Sequence, residues 1–218
     1  MAVGDTLSEI FRLWGRTAAP VAAAALVVVL PLEVLIAVFD PANDVSPNAG
    51  LYVALFSGTN LVALPWVAGA VVRYLHDGGS ALAAYGKLEG ALAGLIVGSF
   101  LAFLGIVAGL VLLVVPGLIV ASRWSVLVPA AVIERRGPIE ALSRSNDAVR
   151  GATGRVLAIM SAATVAAFAL VLVPAAIAEV FSPGFVASLV LGLSVDLLGI
   201  PLMATAAYVV YRRRAETA

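Results

Sequence analysis

A stretch of 44 residues, from Gly90 to Ile133, carries one charged side chain, that of Arg123. A single helix of this length would reach about 66 Å, roughly twice the thickness of a bilayer's hydrocarbon core. The stretch is therefore expected to cross a membrane twice. We predict spans at 91–115 and 118–133, joined by a hairpin turn at Pro116 and Gly117, because proline ends a helix and glycine tolerates a tight reversal.

Four further apolar runs are long enough to span a membrane, at about 17–39, 51–75, 156–178 and 185–210. The chain is 62% hydrophobic and only 12% charged, which excludes a soluble globular protein because such proteins are about a quarter charged. The sequence therefore predicts an all-α bundle of six transmembrane helices, forming a single domain over residues 1–218.

The basic residues predict the orientation of this bundle. Twelve of the thirteen lie in the segments on one side of the six spans, and the loops on the other side contain none. The positive-inside rule then places both termini in the cytoplasm and the protein in the cytoplasmic membrane. The first apolar run is too long for a signal peptide and contains Glu33, so we expect it to be a retained span.

Two short amphipathic segments are predicted to lie at the cytoplasmic membrane surface, at about 6–16 and 138–150. In the first, Thr6 and Glu9 have the spacing of a capping box ahead of an apolar face. In the second, Pro138 occupies a favourable first helical position, and the segment carries both apolar and basic residues.

Three ionisable residues fall well inside predicted spans, namely Glu33, Arg123 and Asp196. Counting residues from the expected outer edge places Glu33 and Arg123 at a depth of about 9 Å, Asn60 at about 13 Å and Asp196 at about 16 Å. A buried charge in a membrane normally has a partner or a cavity. We therefore predict a cluster in which the Arg123 guanidinium bridges these groups.

Two interpretations of this cluster remain open. The arginine and carboxylates would either hold the helices together or form a binding or conduction site for a head group, an ion or a proton. Asp196 is the strongest functional candidate, because it is the deepest and precedes a helix interruption at Pro201.

Small residues recur along the third span in GxxxG-like spacing, which lets helix backbones approach closely. We predict that this helix runs through the centre of the bundle and packs through Gly90, Gly94, Gly98, Gly105 and Gly109.

Basic residues after the fourth and sixth spans are suited to contacts with anionic lipid head groups, although arginines there also keep loops in the cytoplasm. The candidate lipid contacts are Arg135, Arg136, Arg144, Arg150, Arg212, Arg213 and Arg214.

No residue pattern predicts catalysis or cofactor binding. The chain has one histidine, His76, and no cysteine, so neither a metal site nor a cysteine nucleophile is expected. No serine and histidine pair is placed to act as nucleophile and base within the membrane. We predict a protein that is not an enzyme and needs no cofactor. Its expected partners are membrane lipids, with other membrane proteins as further candidates, and not nucleic acid.

The chain resembles a family of six-helix membrane proteins that are similar to the membrane domain attached to some glycerophosphodiester phosphodiesterases. The resemblance begins with VGDTLSEIFRLWGR and is most specific over residues 114–151. Its most specific residues are Pro116, Gly117, Arg123, Pro129, Glu134, Ala141, Leu142, Arg144, Ser145 and Gly151. It implies an integral membrane domain without catalytic residues of its own.

The function predicted from the sequence is a non-enzymatic one, binding or organising lipids or partner proteins. The alternative is a transporter or channel for a small polar or ionic species, lined by Arg123, Glu33 and Asp196. A lipid-modifying membrane enzyme is a third hypothesis, for which the sequence offers no catalytic residues.

Overall fold

The computed structural model describes residues 2–42 and 48–216. Over these residues the chain forms helices and no strand, and six helical segments are long and apolar enough to cross a membrane, which confirms the predicted all-α architecture. The helices are α1 (Val3–Phe39), α2 (Ala49–Gly58), α3 (Leu64–Asp77), α4 (Ala81–Gly86), α5 (Leu92–Leu112), α6 (Val114–Trp124), α7 (Leu127–Ile133), α8 (Pro138–Val149), α9 (Thr153–Phe181), α10 (Phe185–Ser194) and α11 (Ile200–Ala215).

The two terminal helices meet at one end of the bundle, which we call the proximal end. Glu9 of α1 forms salt bridges with Arg212 and Arg213 of α11, and Arg213 Nη1 donates to Thr6 Oγ1 at 3.1 Å. The C-terminal end of α1, the N-terminal end of α2 and the connection from α9 to α10 lie at the opposite, distal end.

The first span is longer than predicted, and the prediction of a separate interfacial helix at 6–16 is wrong. Helix α1 runs unbroken for 37 residues and includes that segment. The contacts of Thr6 and Glu9 with α11 explain the difference, because they hold the first turns in line with the rest of α1. The second predicted segment, at 138–150, does form a separate helix, α8.

Two spans are interrupted by short π-helical segments, in which the helix holds an extra residue per turn. The first, π1 (Thr59–Ala63), joins α2 to α3, and the second, π2 (Val195–Gly199), joins α10 to α11. The N–H groups of Leu64 and Ile200 each donate to the carbonyl five residues earlier. Pro65 and Pro201 directly follow Leu64 and Ile200 and supply no N–H, so each interruption coincides with a proline that cannot continue the regular helical hydrogen bonds.

The hairpin turn lies at Leu113 and not at Pro116 and Gly117. Leu113 is extended, with φ −162° and ψ 140°, between α5 and α6. Pro116 is the third residue of α6, where the helix needs no N–H donor, so it begins the second arm instead of ending the first. The predicted span 118–133 is therefore two helices, α6 and α7, separated at residues 125 and 126.

The glycine face of α5 packs closely against the chain that follows it. A Cβ on Gly94 would overlap the Arg136 carbonyl oxygen, and one on Gly105 would overlap the Trp124 ring. Gly98 lies against Leu127, and Gly109 lies against Gly117 across the hairpin. Gly90 does not belong to this face, because it has a φ of 81° in the turn before α5 and a Cβ there would meet no neighbouring atom.

A network around Glu134 ties α7, α8 and α11 together at the proximal end. Glu134 accepts hydrogen bonds from Arg136, from Arg144 Nε at 2.8 Å and from Tyr211. Burial raises the pKa of Glu134, but these hydrogen bonds outweigh burial and hold its pKa below the ordinary value. The hydrogen bond to Glu134 is also the main reason why the pKa of Arg144 is raised.

Candidate functional site

A cavity of about 320 Å³ lies at the distal end, between α1, α2, α10 and the two π segments. We call it the distal cavity. Its polar lining residues are Glu33, Asp40, Tyr52, Thr59, Asn60, Ser188 and Asp196, and its apolar ones are Ile36, Phe56, Leu64, Leu191, Gly192 and Val195.

Two carboxyl groups meet in this cavity. Glu33 is 6% exposed and Asp196 is 1% exposed, and their side chains are in hydrogen-bond contact with each other. A Cβ placed on Gly192 would overlap the Glu33 carboxylate, so this glycine provides the space that the carboxylate occupies. Two carboxylates this close repel each other, so the pair requires a proton or a cation between its oxygens.

One oxygen of this pair has no partner. Asp196 Oδ2 is buried and accepts no hydrogen bond, and no lysine, arginine or histidine lies among the described residues that line the cavity. Asp40, which also lines the cavity, is satisfied, because its two oxygens accept from Ser188 Oγ at 2.7 Å and from the Ala42 N–H at 2.8 Å. Buried carboxylates normally have a donor or a cation beside them. The unsatisfied acceptor of the distal cavity is therefore Asp196 Oδ2.

The π segments supply key side chains of the cavity. Asp196 is the second residue of π2, and Thr59 and Asn60 are the first two of π1. The extra residue in each turn shifts the side chains that follow it around the helix, and such bulges are frequent at functional sites. Asn60 lines the cavity with its side-chain N–H bonded to the Phe56 carbonyl at 2.8 Å.

Two aromatic rings form another part of the wall. Tyr52 and Phe56 lie one turn apart on α2, with ring centroids 5.8 Å apart and planes inclined by 16°. Both rings belong to the lining of the distal cavity. A cation near the carboxyl pair would therefore have aromatic and aliphatic surface close by.

The predicted bridge from Arg123 to Glu33, Asp196 and Asn60 is wrong. Arg123 is exposed, its carbonyl accepts from Ser145 Oγ of α8 at 2.8 Å, and no residue of α6 lines the distal cavity among the described residues. The depth estimate assumed a helix entering at Pro116 and Gly117. Helix α6 has only 11 residues, a length of about 16 Å. Arg123 near its end lies at the level where α9 begins, because the neighbouring Ser122 Oγ donates to the Thr153 carbonyl at 3.0 Å.

Most of the predicted lipid-binding arginines contact the protein itself. Arg136 and Arg144 bind Glu134, and Arg212 and Arg213 bind Glu9, as described above. Arg150 pairs with Asp147 at 3.3 Å, and Arg214 Nε donates to the Ala148 carbonyl at 2.7 Å. Arg135 is exposed, with a φ of 51°. The contacts of Arg144, Arg212, Arg213 and Arg214 link different helices, whereas those of Arg136 and Arg150 are local.

A second, larger cavity is an apolar groove of about 530 Å³ between α3, α6, α9 and α11. Four hydroxyl groups stand in its otherwise apolar wall, those of Ser122, Ser125, Ser161 and Thr164. No ionisable side chain lines it among the described residues. The groove therefore suits a hydrocarbon chain better than a charged ligand.

Residues 2–42 and 48–216 contain no cluster of three or more potential metal ligands. His76 packs edge-to-face on the Tyr208 ring, with centroids 6.4 Å apart. His76 is exposed at the end of α3.

Sequence reasoning missed Asp40, Tyr52 and Ser188 as cavity residues. Helical spacing contained the information, since Glu33 and Asp40 are seven residues apart and Ser188 and Asp196 are eight apart, which places each pair near one helix face.

Comparison of the chain with protein-family models, with curated proteins and with solved structures finds no match.

Proposed function

We propose that this protein binds a small monovalent cation in the distal cavity, at the carboxyl pair of Glu33 and Asp196. The observation that carries the proposal is the buried, unpartnered oxygen Asp196 Oδ2 in a cavity without a basic side chain. A cation there would receive the Coulomb attraction of two carboxylates in a site of low dielectric constant.

Cation binding at this pair exchanges with a proton. The unoccupied pair holds one proton between Glu33 and Asp196, and a bound cation takes over its role as the positive charge between the two carboxylates. The proton leaves to water through the cavity mouth. Such an exchange is the elementary step of a proton-coupled transporter, and this argues for the transporter alternative over a purely organising role.

The proposed role needs no covalent chemistry, so we propose a binding and transport protein and not an enzyme. We further propose that it lies in the cytoplasmic membrane with its proximal end inside, because the arginine-rich segments lie at that end. The distal cavity then faces outward. The resemblance to the membrane domain of glycerophosphodiester phosphodiesterases stays a prediction.

The test is a cation titration of the purified protein in lipid nanodiscs. Calorimetry measures cation binding, and a pH-indicator dye in weak buffer measures proton release. The probes are the chlorides of potassium, ammonium and benzylammonium, and the proteins are wild type, Asp196→Asn and Glu33→Gln. We expect saturable binding of at least one cation with release of about one proton per cation in wild type, and loss of both in the two variants.

Glu179→Gln is the matched control, because it removes an acidic charge from an exposed position near the distal end of α9, outside the cavity. It should bind like wild type. Equal binding by wild type and Asp196→Asn, or saturable binding of none of the three cations, would show the proposal to be wrong. A thermal melt of each variant checks that it is folded.

The apolar groove supports a second candidate function, the binding of a lipid. Its volume of about 530 Å³ and its apolar wall suit an acyl chain. Native mass spectrometry of wild type and Ala204→Trp, which fills the groove, tests this. A lipid retained by wild type and lost from the variant supports the function, and identical lipid profiles contradict it.

A further inference from the structure

We propose that the cation bound in the distal cavity is an organic ammonium ion. Its N–H groups bind Asp196 and Glu33, and its hydrocarbon body lies against Tyr52 and Phe56. This inference rests on the proposed function and names the ligand class.

The donor set is poor for a metal ion. Calcium takes six to eight oxygen ligands, and magnesium six in near-ideal octahedral geometry. The cavity brings two carboxyl groups together, and the third, Asp40, already accepts from Ser188 and Ala42. Among the other lining residues, Tyr52, Thr59 and Asn60 carry one neutral oxygen ligand each, and Ile36, Phe56, Leu64, Leu191 and Val195 carry none in their side chains.

An ammonium group matches the hydrogen-bonding need of the site. A primary ammonium carries three N–H donors, like the side chain of lysine. One donor satisfies the buried Asp196 Oδ2, and another takes the place of the proton on the Glu33 side. A bare alkali cation has no directional donor to offer these oxygens.

The shape of the cavity matches an ammonium ion with an apolar body. A volume of about 320 Å³ exceeds what a bare ion needs and has room for the apolar body of an organic cation. The paired rings of Tyr52 and Phe56 present π faces that attract a cation and bury hydrocarbon. Leu191 and Val195 extend this surface on the α10 side.

The ammonium group belongs either to a free amine or to the head group of an ethanolamine lipid. A lipid would place its phosphate close to the carboxylates of Glu33 and Asp40, and no basic side chain lines the described cavity to receive it. The charge distribution therefore favours a free amine. Nanodiscs with and without phosphatidylethanolamine distinguish the two sources.

The experiment compares benzylammonium, ammonium and the uncharged benzyl alcohol as ligands of the full chain in nanodiscs of phosphatidylcholine and phosphatidylglycerol. We expect benzylammonium to bind about tenfold or more tightly than ammonium, because the ring adds apolar burial and aromatic contact. Benzyl alcohol should show no saturable binding, which separates site binding from partition into lipid.

The aromatic wall is tested with Phe56→Leu against Phe168→Leu, an exposed phenylalanine of α9 that does not line the cavity. Phe56→Leu should weaken benzylammonium binding by about threefold or more and leave ammonium binding unchanged, whereas Phe168→Leu should change neither. Weakening of benzylammonium by phosphatidylethanolamine would assign the ammonium group to the lipid.

The two proposals fail in different ways. If potassium, ammonium and benzylammonium bind equally well, Phe56→Leu changes nothing and Asp196→Asn abolishes binding, the cation site stands and the organic ammonium inference is wrong. If none of the three binds wild type, both proposals are wrong.

Discussion

Gly192 illustrates how one missing side chain shapes the distal cavity. It is the residue of α10 against which the Glu33 carboxylate packs, and it lies four residues before Asp196. A larger residue would push the Glu33 carboxylate away from its partner. The carboxyl pair therefore depends on a glycine that carries no chemistry of its own.

Replacing Gly192 by alanine should abolish cation binding and destabilise the protein by about 1–3 kcal/mol, because the added methyl overlaps the Glu33 carboxylate. Thermal melts and calorimetry check both effects. Gly58→Ala is the control, since a Cβ there meets no neighbouring atom. Unchanged binding by Gly192→Ala would mean that Glu33 has room to move without loss of the site.

The spacing of glycines along α5 determines how closely several neighbouring segments pack against it. Four of its glycines face α6, α7 and the segment that follows α7. The neighbour differs at each position, from a backbone carbonyl at Gly94 to flexible leucine atoms at Gly98. The consequence of filling each position should therefore differ.

Alanine at Gly94 should destabilise the protein by about 1–3 kcal/mol, because the Arg136 carbonyl oxygen is backbone and cannot move aside cheaply. Alanine at Gly98 should have a small effect or a stabilising one, since the nearest atom is Leu127 Cδ1 at 3.4 Å and alanine favours helix over glycine. Melting temperatures of the two variants test this order. A larger loss for Gly98→Ala would contradict the packing described here.

The network at Glu134 gives the proximal end a predictable pH dependence. Its folded pKa lies below the ordinary value of 4.5, so its contribution to stability is present above about pH 4.5 and is lost as the pH falls through the folded pKa. Glu134→Gln should lower stability by about 1–2 kcal/mol at neutral pH. The difference in melting temperature between wild type and variant should shrink below about pH 4.5. A constant difference would show that the charge of Glu134 is not involved.

The whole molecule has the first turns of α1 and the last turns of α11 at one end and the distal cavity at the other. The chain contains no cysteine, so single cysteines can report the side of the membrane directly. With the proximal end inside, Ser182→Cys should react with an impermeant maleimide added outside intact cells, and Glu216→Cys should react only after the membrane is opened. The reverse pattern would overturn the proposed orientation.

The sequence alone determined that there are six apolar segments, their approximate place, and the burial of Glu33 and Asp196 within them. These follow from local properties, because about 20 apolar residues make a span and helical spacing assigns faces. It also located the interruption at Pro201, which follows π2 in the structure.

Only the tertiary structure decided what the buried charges contact. The partner of Glu33 depends on where α1 meets α10 and on how far α6 extends from its turn, and neither is a property of a local segment. The predicted turn lies a few residues later than the observed one, so the predicted depth of Arg123 is wrong. That depth led to the prediction of a pair between arginine and carboxylate. Close packing at Gly192 and the π turn at Asp196 instead bring two carboxyl groups together.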